Sequence, residues 1–531
     1  MRLFFKNKIS RLLRAGLLAV VALGFSAVVS GTVSQAAVCV VRNQWGEDQY
    51  FDTFSEGWCY TLCASSKDWD KMTTIKLLTD WRTSSSKQKV TIRGEKYTIG
   101  KYNLGTDLKR KHIRGLDDSK SEIDGFSGGH INVKWGRKIT IDLNGFNIDR
   151  GKGNDQDDDG ELINVSDGAC LCIIDSNPNV RKNIDGVDTT GGCLMGGSSE
   201  DGAGCIHIKG NALVKMVGGN ICCNQTDDHG GGIKTADSNS KLILDGVHFF
   251  KNQTRDSKDN CNGGAVYINK GRVRIKNCVF RQNYSEDYGG AVFMDDTSAY
   301  AVIENCQFLD NYAKDDGGAI HVDHGNLKIK NCTFSGNHAQ DDGGAILIED
   351  DEGAVLRNCT FTGNTAEDDG GAYYCDDNSQ YVIDCDFHGN RANDCGGGIY
   401  VADEDELSVQ GEVKVFDNSG KGNRSDNVFL AKGYLYSGGL LDGSRIGVRT
   451  NKKYKALIQI SQYELDKVFF FDSGSYSKKN TKTKNEVYLS SAFASFEGWI
   501  IVGLSLVILL GALVGYIFAT RAKNKKNGSR E

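Results

Sequence analysis

Between residues 277 and 400 hydrophobic and polar positions recur in one order. Asn-Cys-x-Phe-x-x-Asn leads to a few polar residues, then a Gly-Gly pair and a short apolar run. The phenylalanines are Phe280, Phe308, Phe334, Phe361 and Phe387, in steps of 28, 26, 27 and 26 residues. The paired asparagines are Asn283, Asn311, Asn337, Asn364 and Asn390. A Gly-rich, β-branched repeat with a period in the twenties predicts a solenoid with one coil per repeat. Over 271–276, Val273 and Ile275 point one way and Arg272, Arg274 and Lys276 the other. The same offsets place Ala301, Ile303, Leu327 and Ile329 inside. Coils this short leave no room for a crossover helix. The expected fold is therefore all-β, a right-handed parallel β-helix rising about 4.8 Å per coil. Stacking then makes the phenylalanines a core column, the asparagines an amide ladder at a bend, and the glycine pairs a corner.

The pattern continues upstream in worn form at Ile221/Asn224 and Phe249/Asn252, and downstream at Val415/Asn418. Strands are expected at 139–143, before an Asn144-Gly145 turn, and at 169–175, 203–208 and 213–217, with an acidic loop at 155–159. Residues 38–90 differ in composition, holding Cys39, Cys59 and Cys63 with Trp45, Trp58, Trp69 and Trp81. An N-terminal cap is expected there, with a short helix at 67–72 and a strand at 74–79. Cys59-x-x-x-Cys63 suits a disulfide in an exported protein.

Composition adds three constraints. Glycine is 65 of 531 residues and proline occurs once, so turns depend on glycine. The net charge of −6 argues against a nucleic-acid partner. Both ends carry membrane addresses: a basic, then apolar, then small-residue leader, and an uncharged run at 499–518 followed by Arg521, Lys523, Lys525 and Lys526. The expected layout is a signal peptide (1–37), a cap (38–130), β-helix repeats (131–450) and closing strands with a juxtamembrane segment (451–498). A transmembrane helix (499–518) and a basic cytoplasmic tail (519–531) complete it, giving a single-pass plasma-membrane protein with the β-helix outside the cell.

Phe-x-x-Asn alternating with Gly-Gly-Ala-Ile resembles the repeats of polymorphic outer membrane proteins, well over 203–420 and loosely over 131–202. The Ile141-Asp142-Leu143-Asn144-Gly145 lead-in is similar to β-helix surface proteins of Gram-positive gut and rumen bacteria. The polymorphic family ends in an outer-membrane barrel, whereas this chain ends in one apolar segment and a basic tail. The resemblance implies adhesion at a cell surface and supplies no catalytic residue set.

The candidate chemistry is sparse. Cys278, Cys306, Cys332, Cys359 and Cys385 share a column, as buried thiols or as inter-coil disulfides. Acid pairs precede the glycine corners, and Asp315, Asp316, Asp341, Asp342, Asp368 and Asp369 form the candidate Ca²⁺ ladder; the alternative is solvated loop acids. A second acid set follows the next strand at Asp295-Asp296, Asp323, Glu349–Glu352, Asp376-Asp377 and Asp403–Glu406. Arg272, Arg274, Lys276, Lys328, Lys330 and Arg357 form a basic strand face that reads as solvated. His207, His229, His248, His321, His324, His338 and His388 read as surface residues, with His321, Asp323 and His324 as a weak metal grouping. No catalytic residue is assigned. The leading function is a membrane-anchored binder of an extracellular glycan or protein; the alternative is a polysaccharide lyase or glycoside hydrolase.

Overall fold

The computed structural model describes residues 37–491 apart from 65–71, 85, 93–94, 100–103, 105–129, 152–159, 256–260, 350–352, 377–379, 403, 451–453, 473–474 and 480–485. The leader, the 499–518 segment, the basic tail, the 155–159 loop and nearly all of the helix expected at 67–72 lie outside the described residues. Among the described residues no helix is long and apolar enough to cross a membrane.

The regular coils are built from four short strands. After Gly317-Gly318 they are Ile320–Val322, Asn326–Lys330, Thr333–Ser335 and His338–Ala339, here the first to fourth faces. Each strand pairs in parallel with its counterpart in the next coil. On the second face, ten such pairings join eleven strands, from Lys138–Asp142 to Tyr434–Leu440. Alternation decides what lies inside. Val273, Ile275, Ala301, Ile303, Leu327 and Ile329 are all buried in one continuous core.

The expected columns form. Ring centroids along Phe249, Phe280, Phe308, Phe334, Phe361 and Phe387 are spaced 4.7, 4.8, 4.8, 4.6 and 4.3 Å, with near-parallel planes. The buried asparagines bond coil to coil. Asn337 Nδ2 donates to Asn364 Oδ1 at 2.9 Å and to Phe308 O at 3.0 Å. Gly317 has φ +63°, and a Cβ on Gly318 would lie 2.2 Å from the Gly344 carbonyl oxygen, so neither position accepts a side chain. The column thiols are buried and unpaired. Cys306 Sγ accepts from the Cys278 N–H at 3.4 Å and donates to Glu304 O at 3.2 Å. Burial pushes the Cys278 and Cys359 thiols upward, and all five column cysteines pack within the continuous core.

Four features were not foreseen. Asn305, Asn331 and Asn358 turn the corner from the second to the third face with φ of 55°, 54° and 52°, a left-handed conformation that asparagine tolerates. Their exposed amides form a second ladder, from Asn358 through Asn331, Asn305 and Asn277 to Asp245, with contacts of 2.6 to 3.2 Å. A helix, Phe54–Ala64, buries Trp58 and Leu62 in the shared core and packs on Cys39–Arg42, Asp48–Phe51 and Thr73–Leu77. A hairpin, Arg181–Ile184 with Val187–Thr190, covers a small outer cluster holding the Cys193–Cys222 disulfide and Phe250. Finally, the inner amide ladder runs on from Asn418 to Asn427 and ends on the buried carboxylate of Asp472.

Candidate functional strip on the first face

The three-residue strands of the first face send two side chains inward and one outward. Ile320 and Val322 enter the core, whereas His321 lies outside it. Strand register places the outward residues of successive coils in one file: Lys234, Tyr267, Phe293, His321, Leu347, Tyr374, Tyr400, Phe429 and Arg449. Tyr267 stacks on Phe293 at 5.6 Å, Tyr374 on Tyr400 at 4.7 Å and Tyr400 on Phe429 at 5.4 Å. The Arg449 guanidinium closes the file 4.4 Å above Phe429. Tyr267, Phe293, Leu347 and Phe429 are buried, whereas Lys234, Tyr374 and Tyr400 are half-buried and reach solvent.

The described members of the two acid sets flank this file. Tyr374 lies within electrostatic reach of Asp342 and Asp369 on one side and Asp376 on the other. Tyr288 faces Asp315, Asp316 and Glu349, and Tyr267 donates a hydrogen bond to Asp295. The row before the glycine corners is itself a ladder. Asp316 Oδ1 accepts the Asp342 N–H at 2.8 Å, Asp342 Oδ1 the Asp369 N–H at 2.7 Å, and Asp369 Oδ1 the Cys395 N–H at 2.7 Å. Burial, reinforced by neighbouring carboxyls, pushes Asp316 up to about 7, Asp342 to about 8 and Asp369 to about 7. These groups exchange protons near neutrality.

The six aspartates of the expected Ca²⁺ ladder do not gather around one point. Asp341 and Asp368 are exposed, while Asp316, Asp342 and Asp369 are turned toward the next coil's backbone. Among the described residues the one set of three ligand-type groups within 4.8 Å is Asp369, Asp394 and Cys395. Asp394 and Cys395 stand one coil beyond the last pair singled out in the sequence.

Two histidines are not surface residues. His321 is 3% exposed and His207 4%, because each occupies the outward position of a first-face strand walled in by its flanking turns. Burial pushes His321 down to about 3, so it is neutral; its Nδ1 has no hydrogen bond and its Nε2 lies 4.0 Å from Glu349 Oε1. His324 pairs with Asp323 at 2.9 Å instead of joining His321 at a metal. His207 Nδ1 is 3.4 Å from Glu161 Oε2, and Asn164 donates to Glu161 Oε1 at 2.6 Å. The basic second face is exposed as expected, and Arg274 bonds Glu304 at 3.1 Å.

A family model described as right handed beta helix region matches residues 204–385 and 265–451. The solenoid is a right-handed β-helix. No curated protein and no solved structure matches the chain. This β-helix is compatible with surface or polysaccharide-related proteins, and specific chemistry must be argued from the first-face strip.

Proposed function

We propose that this protein is a cell-surface, membrane-anchored β-helix that binds an extracellular glycan along the first face. The observation that carries the reading is the file from Tyr267 to Phe429 between two rows of carboxyl groups. The half-buried phenols of Tyr374 and Tyr400, beside carboxyl groups repeated on successive coils, suit a hydroxyl-rich chain held at many weak points. Residues 38–130 would close the N-terminal end of the stack, and 499–518 would anchor it with the β-helix outside. A polysaccharide lyase or hydrolase is the second reading. It rests on the carboxyls of Asp316, Asp342 and Asp369, which hold protons near neutral pH and so could serve as general acids.

A glycan array probed with the full-length protein, alongside a polymer-cleavage assay, separates the two. Retention of glycans without shortening supports the binder; cleavage of any polymer moves the enzyme ahead; neither result removes both. Calcium at Asp315, Asp316, Asp341, Asp342, Asp368 and Asp369 is a separate proposal, supported by carboxyl-rich turns on successive coils. It predicts a lower melting temperature in chelator, and an unchanged one removes it.

A further inference from the structure

The acid row changes character along its length. In earlier coils the chain neutralises it: Lys234 pairs with Asp228 and Lys314 with Glu286. Over the coils from Asp315 to Asp369 that pairing is missing among the described residues, and it resumes where Lys421 pairs with Asp394. Asp315, Asp316, Asp341, Asp342, Asp368 and Asp369 form no ion pair with any cation among the described residues. Carboxylates stacked at coil spacing repel one another, an effect relieved in part by the Lys314 ammonium near Asp315 and by proton uptake at Asp316, Asp342 and Asp369.

His321 lies on the file at this same place. Its ring is 4.8 Å from Tyr288 and 5.2 Å from Phe293, and a Cβ on Gly317, the residue after Asp316, would touch its Cβ at 2.8 Å. It is thus wedged between the Asp316 turn and Glu349, almost wholly buried, with Nδ1 unbonded. An unpaired buried polar atom needs an explanation, and a bound partner is one. Leu347 holds the equivalent position one coil on, so the fold does not require a polar group there.

We infer that the stretch of the strip from Asp315 to Tyr374 holds a glycan carrying free amino groups. This rests on the glycan reading above and names the class of sugar. The carboxylates are strung along the axis and do not converge, which suits a linear chain of spaced ammonium groups better than one compact metal ion. The coil rise of about 4.8 Å is close to the advance of one sugar unit in an extended chain. The half-buried Tyr374 supplies an uncharged phenol hydroxyl between the acid rows for sugar hydroxyls, and His321 Nδ1 can be reached when its flanking turns part. A polyuronate would meet like charge on both sides.

The test is calorimetric titration of the full-length protein in detergent with glucosamine oligomers, N-acetylglucosamine oligomers and hexalysine. The glucosamine oligomer is expected to bind about tenfold more tightly than the acetylated one and to weaken as salt rises. Asp341→Asn with Asp368→Asn, two exposed positions, should weaken it about fivefold without altering melting. His321→Leu should weaken binding while raising the melting temperature, because the orphaned atom is removed; a merely structural role for His321 predicts no loss of binding. Glu304→Gln on the second face should change nothing. Equal affinity for the acetylated oligomer overturns this inference and leaves the glycan reading standing. Tighter binding of hexalysine makes the partner a basic peptide and overturns it as well. No binding of either sugar here, together with a blank glycan array, removes both readings.

Discussion

Replacing Asn337 with Leu is expected to destabilise the β-helix by about 4 kcal/mol. The side chain is completely buried and makes four bonds. Nδ2 donates to Phe308 O at 3.0 Å and Asn364 Oδ1 at 2.9 Å, while Oδ1 accepts from the Asn311 N–H at 3.1 Å and Asn311 Nδ2 at 2.9 Å. Leucine has a similar volume, so the loss is not a cavity. It leaves two donors on Asn311 and two acceptors, on Phe308 and Asn364, inside a dry core, each costing about 1–3 kcal/mol before local relaxation. The amides are also chained, so a break in the middle weakens the bonds on either side. Denaturant unfolding followed by far-ultraviolet circular dichroism measures the effect. Asn331→Ala is the control, because that amide belongs to the exposed outer ladder where water replaces lost partners; about 0.5 kcal/mol is expected there. Similar losses at the two positions would mean that the inner ladder does not hold the coils together.

Asp342→Asn is expected to stabilise the protein at alkaline pH and to do nothing at acid pH. Asp342 has its affinity for a proton raised from 3.8 to about 8, first by burial and then by Asp316 and Asp369. A raised carboxyl favours the folded state while it is protonated. That contribution is complete below about pH 3.8 and is lost progressively as the pH rises to about 8. Each unit corresponds to about 1.4 kcal/mol, and partial solvent access with sharing among three carboxyls reduces the net effect to about 2 kcal/mol. Asparagine keeps an Oδ1 for the Asp369 N–H, and the column already uses it: Asn262 Oδ1 accepts the Tyr288 N–H at 3.2 Å. The wild-type chain should therefore melt several degrees lower at pH 9 than at pH 5, and the variant should flatten that slope. A slope identical in both proteins would show that Asp342 titrates as an ordinary surface carboxyl.

The sequence made the interior legible because the interior is written by repetition. Phe334, Asn337 and Gly344 each recur at one spacing, and a stack converts spacing directly into columns. The thiol column was legible as a column, while its redox state needed the hydrogen-bond geometry of Cys306. Features outside the repeat were hidden. The helix Phe54–Ala64 carries Gly57 in its second turn, a poor helix signal; a Cβ there would lie 2.4 Å from Cys39 Sγ, so close packing selects the glycine. The 181–190 hairpin and its neighbouring disulfide interrupt the period. Asp472 lies beyond the last recognisable copy, yet it terminates the amide ladder.

The candidate strip was half legible. Both acid sets stand out in the sequence, but the file between them occupies only the central residue of a three-residue strand, too short for alternation to show. Lys234, Tyr267, Phe293, His321, Leu347 and Tyr374 share no residue type, so no motif marks the column. Register alone reveals it. The same point explains His321, which reads as a surface residue until the turns on each side are placed around it.

The central claim is that ligand is held on the first face, between the acid rows. Hydrogen exchange of the full-length protein, with and without a glycan that it retains, tests this most directly. Protection is expected at the backbone amides of the 341–347 and 368–374 turns and strands, with the second-face strands Asn326–Lys330 and Val355–Arg357 unchanged. Protection confined to those second-face strands would contradict the account and place the ligand on the basic face instead.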